Sequence, residues 1–341
     1  MEQLSNFTTL KVGGPAQKIV HAHTEDELVE FVKAADKAGE KVLILGGGSN
    51  LLISDAGFAG TVIRVESKGN ALDYDACSGG MIEVSAGEDW DKFVELTIEK
   101  GFADLESLSG IPGTVGGAPI QNIGAYGHEV SETIARVKAY DRKKGEVITF
   151  TNEQCHFSYR NSAFKEDAGR YVILNVTFQL RKGEMSLPIT YAELANYLSV
   201  NLGDRAPVMK VRQAVLELRG RKGMLINSSD VNSNSAGSFF VNPILTKEIA
   251  DKLPADAPRW PQSDGRVKTS AAWLMEHAGV NKGEKLAGAQ ISSKHVLALT
   301  NSGDATADNI IELAKMARAK VFEKFGIKLE AEVQLVGLDL N

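Results

Sequence analysis

Residues 111–127 read IPGTVGGAPIQNIGAYG, a run with five glycines, two prolines and no charged side chain. The neutral stretch is longer still, because no Asp, Glu, Lys or Arg occurs between Glu106 and Glu129. A helix does not tolerate this density of Gly and Pro, and a flexible linker would carry Ser, Lys or Glu. The segment is therefore a loop. Taken alone it is either a buried connection or a loop whose backbone N–H groups must come close to something bulky and anionic. A second glycine loop, GGGSN at 46–50, poses the same choice. Neither has the G-x-G-x-x-G spacing of a dinucleotide fold nor the G-x-x-x-x-G-K-[ST] phosphate loop, which disfavours a nicotinamide-binding Rossmann domain and an ATPase. Two such loops together could cradle a pyrophosphate, since glycine lets backbone donors converge without a side chain in the way. The run Gln121-Asn122-Ile123-Gly124-Ala125-Tyr126 offers a flat, neutral amide surface of the kind an isoalloxazine ring requires.

The elements around these loops are mixed. Residues 24–39 predict a helix, with a capping box from Thr24 and Glu27, apolar Leu28, Phe31, Val32 and Ala35 on one face, and Gly39 as the stop. Short strands are expected in KVLIL and LLIS on either side of GGGSN, and at 61–65 and 81–87. A helix follows from about Asp89 to Lys100. Residues 136–150 predict two strands around a charged hairpin, and 171–180 another strand. Beyond RKGEMSLP, helical patterns occupy 190–199, 206–219, 268–279 and 306–325, with a polar loop at 227–237 and a strand in VLALT. The closing KLEAEVQLVGL alternates strictly, as a half-buried strand does. The pattern is α+β, with a boundary near residue 185: a first domain over 1–185 in two parts of about 1–66 and 67–185, a second over 186–325, and a returning strand over 326–341.

With 38 Lys and Arg against 44 Asp and Glu the net charge is −6, which argues against nucleic acid as a partner. The two cysteines, Cys77 and Cys155, show no C-x-x-C spacing, so neither a disulfide framework nor a zinc site is expected. Six scattered histidines give no metal-ligand spacing, and His277 and His295 suit packing or surface roles. No apolar run approaches a membrane span and the N-terminus lacks a signal-peptide pattern, so a cytoplasmic location, with no membrane and no obligatory protein partner, is expected.

LILGGGSNLL, IPGTVGGAPIQNIGAYG, FSYRNSAF, SAGSFFVNP and LEAEVQL occur in this order and at separations that resemble the UDP-N-acetylenolpyruvoylglucosamine reductase family. The resemblance runs from about Asn6 to Gly337. It implies an FAD-binding domain of the vanillyl-alcohol-oxidase/PCMH type, built from two α+β subdomains, plus a C-terminal α+β substrate domain. It also implies FAD as cofactor, NADPH as donor and UDP-N-acetylglucosamine enolpyruvate as substrate, reduced to UDP-N-acetylmuramate for peptidoglycan. The cofactor contacts it implies in the first glycine loop are Gly46, Gly47, Gly48, Ser49, Asn50 and Leu51. In the second they are Pro112, Gly113, Thr114, Gly116, Gly117, Gln121, Asn122, Gly124, Ala125 and Tyr126, with Ile173 from a strand. No metal is implied.

Reduction of an enolpyruvyl ether builds negative charge toward the α-carbon and carboxylate, and a proton must then reach that carbon. The site needs a cation, a polar group to steady the enolate and a proton donor. The resemblance assigns these roles to Arg160 in FSYRNS, Glu332 in LEAEVQL and Ser238 in SAGSFF. A guanidinium can bind a carboxylate through two parallel hydrogen bonds, which Lys cannot copy. Standing alone, each motif also fits an ordinary surface arginine, a turn serine or a solvent-facing carboxylate. Tyr191 in LPITYAEL matches the tyrosine of a loop that closes over the sugar nucleotide in one branch of the family, and Lys222, Asn242, Trp260 and Lys268 resemble contacts to its UDP part. The sequence departs from the family in having Ala331 where proline is frequent and a longer 222–237 stretch than members with a KLPDP turn. Two other readings stay open. An oxidase or dehydrogenase on the same flavin fold would need a His or Tyr base beside the flavin, and a nucleotide-sugar binding protein without catalysis would purify colourless.

Overall fold

The computed structural model describes residues 2–75 and 79–341; Cys77 lies outside the described residues. The chain forms two compact units. The first comprises 16–48 and 59–221, the second 2–15, 49–58 and 222–341. Residues 186–221 pack with the first unit, which therefore runs past the boundary near 185 that the sequence suggests. The reason is apolar. Ile189, Leu194, Ala195, Val211, Ala214 and Val215 close a small core around Tyr126, which belongs to the second glycine loop.

In the first unit a three-stranded sheet orders Ala16–Ala22, Phe58–Val65 and Val42–Leu45. The helix Glu25–Lys37 buries Leu28, Val32 and Ala35. Its cap differs in one detail from the expected box. Thr24 Oγ1 accepts from Glu27 N–H at 3.1 Å, but the Glu27 carboxylate turns back to His23 N–H, at 2.7 Å, rather than to Thr24. A five-stranded antiparallel sheet orders Glu146–Thr151, Ile134–Asp141, Tyr171–Leu180, Gly79–Ser85 and Asn70–Asp75. The helix Trp90–Glu99, capped by Asp89, sets Trp90 and Phe93 against Phe178 of the central strand.

The second unit holds a four-stranded sheet ordered Ser235–Ser238, Ala298–Asn301, Ala289–Ile291 and Lys285–Leu286. The helix Ala307–Phe325 opens on a Thr306–Asn309 capping box and buries Ile310, Leu313, Ala314, Ala317 and Val321. The helix Ala271–His277 adds Leu274 and Met275 to that core. The C-terminal alternation holds for burial only in part: Leu329 and Val333 are inside and Glu330 and Gln334 exposed, but Ala331, Glu332 and Leu335 are all half-buried. Continuous strand geometry is confined to Gln334–Val336, which pairs in parallel with Leu51–Ile53. The polar 227–237 stretch is not wholly loop: it contains a single 3-10 turn, Val231–Ser233, and the start of the strand Ser235–Ser238. No helix among the described residues is long and apolar enough to cross a membrane.

Candidate active site

The two glycine loops meet within the first unit. A Cβ built on Gly46 would lie 2.5 Å from Thr114 Oγ1, and one on Gly47 would lie 2.7 Å from Gly113 Cα. A Cβ on Gly116 would come within 2.6 Å of the Ala86 Cβ. A larger residue at Gly47 would push against the Gly113 main chain, while one at Gly46 or Gly116 would first displace the Thr114 hydroxyl or crowd the Ala86 methyl. Gly47 and Gly117 nonetheless remain exposed, so the paired loops keep an open edge. A glycine-walled edge with no Asp, Glu, Lys or Arg from 107 to 128 fits a bulky planar cofactor whose phosphates are held by backbone donors.

The second loop is held from behind by side chains that the sequence reading did not single out. The Arg212 guanidinium grips Asp91 through two hydrogen bonds of 2.7 and 3.0 Å. Asp91 also accepts Gly110 N–H at 2.6 Å, and Arg219 Nε donates to Gly110 C=O at 3.1 Å. The Gly110 residue that opens the neutral loop is thus fixed on both its N–H and C=O sides. Burial opposes the charge on Asp91, but Arg212 and the Gly110 N–H outweigh it and hold the carboxyl below its ordinary range. The signal was present as two arginines seven residues apart on the buried face of the helix Val208–Arg221.

Several residues expected to touch a cofactor also have partners within the protein. Asn122 is fully buried, with backbone φ of 46°. Its amide donates to Glu129 Oε2 at 2.7 Å and Ser158 C=O at 3.1 Å, and its Oδ1 accepts Ser131 N–H. Tyr126 and Gly127 both have positive φ and turn the hairpin Gly124-Ala125/His128-Glu129. Ile173 sits in the core of the first unit, 5% exposed. The loop GGGSN is divided: Gly46–Gly48 belong to the first unit, while Ser49, Asn50 and Leu51 belong to the second. There Asn50 Nδ2 donates to Glu332 C=O at 3.2 Å, and Asn50 C=O accepts Gln334 N–H.

Arg160 lies in the first unit with φ of 53°, a strained value for a side-chain-bearing residue. Its guanidinium donates to Gly124 C=O at 2.7 Å and Asn122 C=O at 3.3 Å, and packs over Tyr159. The neutral loop therefore orients the arginine through its own carbonyls. Ser238 and Glu332 belong to the second unit and are brought together there. Phe240 bridges Ala331 in antiparallel fashion, and Glu332 N–H donates to Phe239 C=O at 2.8 Å. Ser238 immediately precedes that pair, half-buried, after Gly237 with φ of 74° and above the buried Phe239 and Phe240.

Among the expected substrate contacts, Trp260 and Lys268 are cross-strand partners, and Lys268 also pairs with Ile244, two residues after Asn242. Asn242 Oδ1 accepts Ala271 N–H at 2.9 Å, which ties this small sheet to a helix start. Lys222 begins the C-terminal part of the second unit, and its positive charge acts on the half-buried His295, whose pKa desolvation and the charges of Lys222 and Lys282 push down to about 4. His277 stacks on Trp273. Tyr191 belongs to the first unit, 43% exposed, with its ring edge-on to Tyr126 at 5.5 Å. Among the described residues no cluster of His, Cys, Asp and Glu could hold a metal ion.

Known proteins resemble this chain over its whole length. Residues 16–151 match a family described as FAD binding domain, and 229–336 match UDP-N-acetylenolpyruvoylglucosamine reductase, C-terminal domain. The UDP-N-acetylenolpyruvoylglucosamine reductase of Cutibacterium acnes is 50% identical over 98% of this chain and 89% of its own. That of Streptomyces avermitilis is 47% identical over 99% and 94%. The crystal structure of the Thermus caldophilus reductase aligns with a TM-score of 0.66 at 26% identity, covering 98% of this chain and 97% of that one.

Proposed function

The chain belongs to the UDP-N-acetylenolpyruvoylglucosamine reductase family of FAD-binding oxidoreductases, and from that premise we propose that it reduces UDP-N-acetylglucosamine enolpyruvate to UDP-N-acetylmuramate with NADPH as donor. The single observation that carries the reading is the meeting of the two glycine loops. Gly46, Gly47, Gly113, Thr114 and Gly116 build a neutral edge at which the two loops approach too closely to admit a further side chain at Gly47. In this reading Gly46, Gly47, Gly48, Gly113, Thr114 and Gly117 would hold FAD. The chemistry supplied by bound FAD is two-electron transfer between a nicotinamide and the enolpyruvyl ether.

The rest is done by side chains of this chain. Arg160, pre-set by the Gly124 and Asn122 carbonyls, binds the substrate carboxylate and offsets the charge that grows on it. Glu332, whose backbone is pinned by Phe239 and Asn50, steadies the developing enolate. Ser238 Oγ gives its proton to the α-carbon and is reprotonated by solvent. Tyr191 closes over the sugar nucleotide, while Lys222, Asn242, Trp260 and Lys268 hold its UDP part. The lysines act as point charges for phosphate on an otherwise acidic protein. The reaction would serve peptidoglycan precursor synthesis in the cytoplasm.

The test is anaerobic. Purified yellow protein is bleached by NADPH, and UDP-N-acetylglucosamine enolpyruvate is then added. The flavin absorbance returns if the proposal holds. Failure of the enolpyruvyl compound to restore colour, with an alcohol or hydroxy acid reducing the oxidised flavin instead, overturns it in favour of an oxidase or dehydrogenase.

A further inference from the structure

The segment 186–191, which ends on Tyr191, is fastened at more points than a surface connection needs. Ser186 N–H donates to Ala206 C=O, Ile189 N–H to Asp204 C=O, and Gly203 N–H to Ile189 C=O. Between these backbone bonds, the Leu187–Pro188 stretch faces two ionisable side chains. Glu106, 1% exposed, accepts Asp104 N–H at 2.7 Å and also receives the Leu187 N–H. His128 reaches the other side. Its Nε2 lies 3.2 Å from Pro188 C=O and its Nδ1 lies 2.8 Å from Glu132 Oε2. Next to His128, Gly127 approaches the loop so closely that a Cβ there would overlap Thr190 Oγ1. Two residues before His128, Tyr126 packs edge-on against Tyr191.

Both ring nitrogens of His128 therefore face acceptors. A carbonyl oxygen only accepts. Glu132 Oε1 already receives Glu129 N–H at 2.9 Å, and the carboxyl is held below its ordinary range: burial opposes its charge, but the His128 bond and the Glu129 N–H outweigh that, so it too accepts. A neutral imidazole has one N–H and can satisfy one of the two partners; the imidazolium satisfies both. We propose that His128 is a positioning residue whose imidazolium form clamps the 186–191 segment to the glycine-loop hairpin, so that deprotonation of this one ring loosens the placement of Tyr191.

The charges around the ring agree. Those that face it are acidic: Glu132 on its own turn and Glu106 from the 3-10 turn packed against the hairpin, with Asp104 behind Glu106 and paired to Arg181. Burial disfavours the charged ring, but Glu132, the Pro188 carbonyl and Glu106 outweigh it and carry His128 above its ordinary 6.5. The sign follows directly. With the folded value raised, the clamp is complete below about pH 6.5 and is lost as pH rises through the folded value. The coupling to ligand rests on the proposed role of Tyr191 in closing over the sugar nucleotide.

The experiment uses the full chain loaded with FAD. Hydrogen exchange of the 186–191 amides is followed from pH 6 to 9, corrected for intrinsic rates, while nitrogen NMR reports the His128 ring. Opening of the segment should rise roughly tenfold across the ring's titration, as expected for loss of one charge-assisted hydrogen bond. In His128→Gln the dependence should be flat. Glu132→Gln, which keeps the ring but weakens its charge partner, should move the transition to lower pH. A wild-type curve that coincides with that of His128→Gln, or a ring already neutral at pH 6, overturns the proposal. Affinity for UDP-N-acetylglucosamine enolpyruvate, read from the oxidised flavin spectrum, should weaken over the same interval. If exchange follows the ring and affinity does not, the clamp stands and the assignment of Tyr191 to the substrate falls.

Discussion

In the proposed function the glycine loops of the first unit and the segments of the second that carry Ser238 and Glu332 would work by opposite means. In the first, side chains are removed so that main chain can approach: Gly47 sits against Gly113 with no space for a methyl group. In the second, the Glu332 N–H bonded to the Phe239 C=O holds together the two segments that carry Ser238 and Glu332, the side chains to which the proposed function gives the chemistry. Backbone geometry is the working part in one place and the mounting in the other. Substitutions should therefore fail in different ways, through cofactor retention in the loops and through turnover alone at the strands.

The largest effect that tests this contrast is at Ser238. In Ser238→Ala the flavin should still be bound and still be reduced by NADPH, while reduction of the enolpyruvyl substrate drops by about 10²–10⁴-fold, the range for a lost general acid. Stopped-flow measurement of both half-reactions checks it, and equal slowing of the two would erase the contrast. Arg160→Lys comes next. It keeps the charge but not the planar fork, and kcat/KM for the enolpyruvyl substrate should fall on the order of 10²-fold with FAD content unchanged. Gly47→Ala should do the reverse. Overpacking against Gly113 costs about 1–3 kcal/mol, so FAD retention on dilution should weaken roughly tenfold or more, while the fraction still loaded turns over normally. A Gly47→Ala protein that keeps FAD but loses turnover would show that the loop does more than make room.

The smallest effect concerns the rear support of the loop. Because Asp91 is held below its ordinary 3.8 by Arg212 and the Gly110 N–H against the opposing effect of burial, its contribution to stability is present above that value and disappears as pH falls through the folded one. The melting temperature of wild type should exceed that of Asp91→Asn by a constant margin above about pH 5, with the margin closing in stronger acid. A margin that stays constant into acid would mean that the ion pair with Arg212 adds nothing to the fold.

Much of the architecture was legible in local pattern. The helices at Glu25–Lys37, Trp90–Glu99 and Ala307–Phe325 begin at Thr24, Asp89 and Thr306, whose oxygens accept the expected backbone N–H groups. The hairpin strands Ile134–Asp141 and Glu146–Thr151 follow the charged turn between them. These features depend on neighbours within a few residues, and the chain carries that information directly. The roles of individual polar residues were less legible. Asn122 and Asn50 stand inside glycine motifs that suggest a ligand, yet their amides are engaged in bonds to Glu129, Ser158 and the Glu332 carbonyl.

What the sequence by itself determined is the chemistry available: two neutral glycine loops, an arginine, a serine and a carboxylate in a family order, and the helices and strands that space them. What only the tertiary structure decided is who holds whom. Asp91 meets Arg212 across 121 residues of chain, Asn50 meets Glu332 across 282, and His128 meets Pro188 across 60. Periodicity carries no record of such pairs, because a hydrogen bond is satisfied by whichever donor or acceptor the packed core brings within about 3 Å, and that choice is made only when the cores close.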